Sequence, residues 1–314
     1  MKTFVRIIAL ILALVLMAFL VPSMTPLALG EEDTSAYPTY QPVTLTAEDV
    51  LPLDYSAKAP TPLADAYLPD NGGYLDDTLS VRVETMRAYD TTIMLVWVQI
   101  ASPTQLRAEL CKAYPSKATA RADTIAKRVN AVLAINGDYF VYHSQGYIVR
   151  NGEVLRERYN DSYDTLLIDD QGDFTIIQGL TKEKIDAFEG NIMQAYTFGP
   201  GLVVDGVMTT EFPLKSSSPT HETQRIAIAQ MDHLSYLIVA TEGPENKGST
   251  GLTMAEFAQL LYDLGAKNAY NLDGGSSSSV VLNYKKINAL STGKIRAIGD
   301  ILYFVTAETE EAAQ

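Results

Sequence analysis

Cysteine is nearly missing from this chain of 314 residues: Cys111 stands alone, which excludes an intramolecular disulfide. Stability must come from packing, and a lone thiol with no partner reads as a small core residue rather than a nucleophile. Histidine is scarce as well. His143, His221 and His233 are scattered, so no zinc signature forms. Positive charge is short, with 24 Lys and Arg against 38 Asp and Glu and a net charge of −14. Such a surface argues against a nucleic-acid partner, whose phosphates need a basic face. There is no Gly-x-Ser-x-Gly elbow, no P-loop and no tandem repeat at solenoid periods.

What is present begins with an export pattern. Lys2 and Arg6 precede an apolar run from Ile7 to Val21, then Pro22 and the small-residue stretch Ala28-Leu29-Gly30. The run is shorter than the roughly 20 residues of a membrane span and matches a secretory signal. Residues 1–30 are expected to direct export, as a cleaved signal or as a retained anchor that would be the chain's contact with a membrane. Residues 31–75 are acidic and rich in proline (Pro38, Pro42, Pro52, Pro60, Pro62, Pro69) and read as a spacer. Residues 76–307 have the size of one domain, and 308–314 form an acidic tail. Hydrophobic residues at 47% and charged residues at 20% describe a globular protein.

Within the domain, Val81, Val83 and Thr85 alternate, and Thr92 to Ile100 is β-branched and aromatic. Ala122, Ile125, Ala126 and Val129 give one helix face, leading into the buried-strand run Val132 to Ile135. Asn151-Gly152 marks a hairpin over Tyr147 to Arg158. A second hairpin spans Thr165 to Ile177, and a third joins Arg225–Ala229 to Leu237–Ala240. Thr253 and Glu256 have capping-box spacing before the stripe Met254, Phe257, Leu260, Leu261 and Leu264. Strands outnumber helices by about three to one. The expected architecture is α+β, a large mixed β-sheet system with a few packed helices in one domain.

The polar residues of interest stand at the ends of apolar strands: Asn136 and Asp138, Arg225, Glu242, and Asn271 with Asp273. Loops at strand ends are where scaffolds carry function. The most pointed of them is Asn271-Leu272-Asp273-Gly274-Gly275-Ser276-Ser277. A carboxylate followed by two glycines suits close approach of backbone to a ligand, and it also suits a tight turn. On the loop alone the two readings stand level.

The combination is more specific. Asn136-Gly-Asp-Tyr-Phe140, the run from Gly199-Pro200-Gly201 to Asp205-Gly206, Arg225-Ile-Ala-Ile228, Gly251-Leu-Thr253 and Asn271-Leu-Asp-Gly-Gly-Ser-Ser277 occur in that order. The chain resembles the phosphodiester glycosidases over about residues 80–306. It departs from them at Glu242-Gly243-Pro244, where the family often has Asp-Gly-Arg, and at Gln224-Arg225-Ile226-Ala227, where Pro-Arg-Thr-Ala is common. The resemblance implies an exported hydrolase acting on a sugar-1-phosphodiester, with a sugar phosphate or glycan as partner. Asp273 is then the first choice for the carboxylate that stabilises an oxocarbenium-like state or activates water, and Asp138 the second. Glu242 would bond the sugar or act as a further carboxylate. Arg225 would hold the phosphate, Gly274, Gly275 and Ser276 would offer backbone donors, and Asn136 and Asn271 suit sugar hydroxyls. No cofactor is required, and no spacing demands a metal, although Asp138, Asp273 and substrate oxygen are compatible with a divalent cation. Two other readings stand beside this one: a non-catalytic polysaccharide-binding or envelope-assembly module, and a metal-dependent phosphoesterase.

Overall fold

Ile226, Ala227, Ile228 and Ala229 point alternately to two faces of one strand, and that alternation separates the two largest cores. The computed structural model describes residues 34–47, 49–212, 219–291 and 293–308. The export segment 1–30 and the tail beyond 308 lie outside them. The α+β class holds: three sheets carry most of the fold, with short helices packed on them. The expected large mixed sheet system resolves into one nine-stranded and two five-stranded sheets, and among the described residues their ladders are antiparallel instead of mixed.

Strands Thr91–Ile100, Ser235–Thr241, Ile226–Asp232 and Asn268–Asn271 lie side by side in the nine-stranded sheet. One face meets helix Met254–Asp263 through Ala227, Ala229, Leu237 and Val239 against Phe257, Leu260 and Leu261. That helix starts as its sequence demands: Glu256 N donates to Thr253 Oγ1 at 3.3 Å, and the Glu256 carboxylate accepts from Thr253 N at 2.8 Å. The opposite face, with Ile226, Ile228, Ile238 and Tyr270, packs on both smaller sheets.

The second sheet runs Lys285–Lys286, Val280–Leu282, Leu133–Asn136, Asp300–Phe304, Leu106–Leu110, with helix Ala122–Arg128 on its outer side. The third contains both hairpins expected between residues 146 and 177, joined by Ile192–Thr197. Ordered pairing begins earlier than the sequence suggested. Tyr67–Leu68 and Gly73–Leu75 extend the edge of the nine-stranded sheet, with Tyr74 opposite Val81. Proline-rich chain upstream also docks: Val43 N donates to Gln99 Oε1 at 2.8 Å, and Leu53 N to Thr104 Oγ1 at 3.0 Å. Cys111 is half-buried rather than fully buried, packed at the rim of the outer helix.

Candidate functional site

Antiparallel pairing decides where the site lies. Ala227 sits opposite Asn271, so the start of one strand and the end of its neighbour share an edge. Gln224 and Arg225 enter the first strand as Asn271 to Asp273 leave the second. Between them is a cleft of about 220 Å³ lined by Arg225, Asn271, Asp273, Gly274 and Gly275, together with Phe198, His221, Thr223 and Gln224.

The glycine-serine loop then crosses from the nine-stranded sheet to strand Val280–Leu282 of the second sheet. Its glycines follow from packing. A Cβ on Gly274 would lie 2.7 Å from the Gln224 carbonyl oxygen, and Gly275 has φ +54°. Gly275 N donates to Gln224 O at 2.9 Å. The loop is therefore stitched onto the strand that delivers Arg225. This corrects part of the expected donor set, because the Gly275 N–H is committed inside the protein; Ser276 is not among the residues lining the cleft.

Asn136 is the second stitch. Its Nδ2 donates to Asp273 O at 2.8 Å and to Gly137 O at 3.2 Å, and its Oδ1 accepts from Ser279 N at 2.9 Å. With both ends of its amide engaged and 1% exposure, Asn136 fastens the two ends of the loop rather than presenting itself to a sugar. Asn271 differs. Its Nδ2 donates to Gly199 O at 2.8 Å, while its Oδ1 is shielded without a hydrogen-bond partner, as is Gln224 Oε1. Two such acceptors in one wall are costly in a closed structure, on the order of 1–3 kcal/mol each.

Asp273 is half-buried in the cleft. Burial pushes its carboxyl up to about 6, with Asp138 adding to the rise; a hydrogen bond from Ser277 and the charge of Arg296 oppose it. Arg225 is 3% exposed. Its Nε donates to Leu252 O at 3.0 Å and its Nη2 to His221 O at 2.8 Å. Burial lowers it to about 10, with Glu256 acting against the fall, so it remains a cation at neutral pH.

Asp138 lies behind Asp273, where the third sheet joins. Its Oδ1 accepts from Phe140 N and its Oδ2 from Thr197 N, both at 3.1 Å. Arg150 approaches Asp138 at 3.3 Å and Asp300 at 2.7 Å, and its guanidinium lies 3.8 Å from the Tyr196 ring centroid. Burial and the neighbouring Asp138 push Asp300 upward against the pull of Arg150. Asp138 is thus electrostatically near Asp273 but bonded into a buried ion cluster. Glu242 stands apart from the cleft lining and accepts a 2.6 Å hydrogen bond from Ser249. Among the described residues, no set of three His, Cys, Asp or Glu side chains is arranged to hold a metal ion.

Sequence reasoning missed Gln224, Phe198, His221 and Thr223 in the cleft wall, and Arg150 with Asp300 behind it. Asp300 could have been found by the rule that found the others, since it opens an apolar strand.

An arginine, a perturbed carboxylate and a glycine loop held in one cleft can be set beside known proteins. Residues 129–305 match the phosphodiester glycosidase family. In solved structures, the chain is similar to the catalytic domain of zebrafish N-acetylglucosamine-1-phosphodiester alpha-N-acetylglucosaminidase, auto-inhibited by its pro-peptide. The TM-score is 0.59 at 18% identity, covering 73% of this chain and 83% of that one. A hypothetical protein from Synechocystis gives a TM-score of 0.52 at 18% identity, covering 73% and 62%. An uncharacterized SPbeta prophage-derived protein, YomE of Bacillus subtilis (strain 168), is 26% identical over 189 residues. That match takes in 57% of this chain but 28% of YomE, so the chain spans under a third of that relative's length. With more than half of its length matched by one family, the chain belongs to the phosphodiester glycosidases.

Proposed function

We propose that this chain is an exported hydrolase that cleaves the glycosidic bond of a sugar-1-phosphodiester, with an N-acetylglucosamine-like sugar, in cell-envelope or extracellular glycans. The observation that carries the reading is the sharing of one cleft by Arg225 and Asp273. A phosphodiester needs a cation that stays charged, and Arg225 offers a guanidinium fixed by two carbonyls. An anomeric centre needs a carboxylate, and Asp273 is one whose proton affinity burial has raised toward neutrality.

In the step proposed, water attacks the anomeric carbon as the C–O bond to phosphate breaks. The phosphate monoester leaves with the bonding electron pair, and Asp273 accepts the proton of the attacking water. Phosphate is already a good leaving group, so one carboxylate can serve where ordinary glycosidases use two. Asp138, behind Asp273, supports the negative potential that raises its basicity. Neither Asn136 nor Glu242 has a direct part in this reading.

The test is hydrolysis of the methyl phosphodiester of N-acetylglucosamine 1-phosphate by the purified full chain in heavy-oxygen water. Label in the released sugar is expected. Label in the phosphate would mean P–O cleavage and a phosphoesterase, and no release at all would leave a binding module. Export is tested separately: fused to a reporter active only outside the cytoplasm, residues 1–30 should carry it across, and a reporter left inside would discard that part of the reading.

A further inference from the structure

The glycine-serine loop has a further anchor, and it is a cation that the reaction above does not use. Lys286 follows the tight hairpin turn at Asn283-Tyr284. Its Nζ donates to the Ser278 carbonyl oxygen and, at 2.5 Å, to Asn288 Oδ1. Both partners are neutral. Asn288 completes the clamp: its Nδ2 donates to Ser278 O at 3.2 Å and to Ser278 Oγ at 3.1 Å, and its Oδ1 also accepts from Val280 N at 2.7 Å. Neither Lys286 nor Asn288 lines the cleft.

Ser278 is where the loop's short turn ends. Ser278 N donates to Gly275 O at 3.2 Å and Ser277 N to Gly274 O at 3.1 Å, and the Ser277 hydroxyl bonds the Asp273 carboxylate. Asn136 holds Asp273 O and Ser279 N; Lys286 and Asn288 hold the residue between Ser277 and Ser279.

Burial lowers Lys286 to about 7, so the cation is kept at a cost that an apolar side chain of similar volume would avoid. Charged groups around it do not offset that cost. Helix Ala122–Arg128 packs on this hairpin with Asp123, Lys127 and Arg128, and Arg121 precedes it. Lys285 is the adjacent residue, and Asp273 and Arg296 meet at Ser277. The fall at Lys286 comes from burial and from none of these. What the charge adds is bond strength, since an ionised donor binds a carbonyl about twice as strongly as a neutral one.

We infer that Lys286 is a positioning residue for Asp273: with Asn288 it clamps the Ser278 carbonyl, fixes the turn that presents Ser277, and so sets where the carboxylate stands in the cleft. The catalytic consequence rests on the hydrolase reading above; the clamp does not. The clamp is strongest while Lys286 is charged, below pH about 7, and weakens above it.

The test is Lys286→Met in the full chain, which removes the ammonium, keeps the volume and leaves Ser278 O its bond from Asn288. On the methyl phosphodiester, the parent's kcat should rise through pH about 6 with Asp273 and fall again through about 7. The variant should be about tenfold slower near pH 6.5, with the deficit shrinking to about twofold near pH 8.5. Its acid limb should stay near 6, and its stability in urea should at least equal the parent's. A deficit equal at every pH would mean a merely structural role, and a displaced acid limb would mean direct action of the charge on Asp273. Either result overturns the inference, as does parental turnover in the variant. Hydrogen exchange over residues 273–282, corrected for intrinsic rates, reads the clamp without catalysis. Protection in the parent should fall about tenfold between pH about 6 and about 8.5, and in the variant it should be low and flat. Protection that stays constant in the parent would overturn the clamp even where the ester is cleaved. If the ester is cleaved at no pH, the hydrolase reading fails and exchange alone decides the clamp. If the variant does not fold, the parent's exchange and pH profile decide it.

Discussion

Replacing Asp273 by asparagine separates what the carboxylate does for catalysis from what it does to the fold. Burial raises this carboxyl from 3.8 to about 6. A shift of about two units corresponds to roughly 3 kcal/mol of disfavour for the charged form, an upper figure because the group is partly open to the cleft. The folded state therefore holds its proton more tightly than the unfolded chain does. The stability this group contributes is complete below pH about 4 and is lost as pH rises through about 6. Asparagine keeps the size and carries no charge, so Asp273→Asn should make the protein more stable than the parent at pH 7.5, by about 1–3 kcal/mol, with no gain at pH 4.

Turnover should move the other way. If the carboxylate stabilises developing positive charge and takes a proton from water, its loss should lower kcat by about two to four orders of magnitude, or about 3–5 kcal/mol. Product affinity should change much less. In the parent, kcat should rise with pH through a midpoint near 6, following ionisation of Asp273. Urea denaturation at the two pH values and steady-state kinetics on the methyl phosphodiester provide the measurements. Unchanged turnover in the variant, or an acid limb near pH 4, would refute the assignment of Asp273. A variant less stable than the parent at pH 7.5 would refute the account of its burial.

Arg225→Ala should weaken both ground state and transition state, because the phosphodiester is charged before and after cleavage; a calorimetric loss of about tenfold or more in affinity for N-acetylglucosamine 1-phosphate is expected, and retained affinity would place the phosphate elsewhere. Asp300→Ala leaves Arg150 buried against one more distant carboxylate, Asp138 at 3.3 Å; denaturant titration should show a loss of about 3–5 kcal/mol. Gly274→Ala puts a methyl group 2.7 Å from the Gln224 carbonyl oxygen, so the loop must shift; a stability loss of about 1–3 kcal/mol with a larger fall in turnover is expected, and wild-type kinetics would show the loop position to be unimportant.

The parts of this molecule that were legible in the sequence are those fixed by short-range rules. The hairpin at Asn151-Gly152 was readable because both residues adopt positive φ, 51° and 81°, which that dipeptide tolerates. The helix at Met254 was readable from its cap and stripe, and Asp273 and Arg225 from polar side chains placed against apolar strands. Tyr67–Leu68 and Gly73–Leu75 escaped because strands of two and three residues carry no periodicity, and they sit in chain that reads as spacer. Arg150 and Asp300 escaped for another reason. Each is a charge at a strand end, the position that singled out Asp138 and Asp273, but nothing local tells a buried ion pair from an exposed charge, and the partner is 150 residues away.

The same distance explains why Asn136 was assigned to the wrong side of the cleft wall. From sequence, an asparagine at a strand end beside a glycine and an aspartate looks available to a ligand. In the fold, the loop that carries Asp273 must pass between two sheets, and its backbone leaves polar groups that water cannot reach. Asn136 meets them from the neighbouring strand, with one donor to Asp273 O and one acceptor for Ser279 N. A side chain so engaged can fix the carboxylate's position but cannot follow a substrate. On the hydrolase reading proposed above, the chemistry falls to the two charged groups that line the cleft: Asp273, held at the loop's turn with its proton affinity raised, and Arg225, held by carbonyls with its charge intact. Asn136 fastens the Asp273 loop and the glycine pair ties it to the strand that delivers Arg225, and on that reading the tie keeps the two groups in register, which a single carboxylate acting at an anomeric carbon requires.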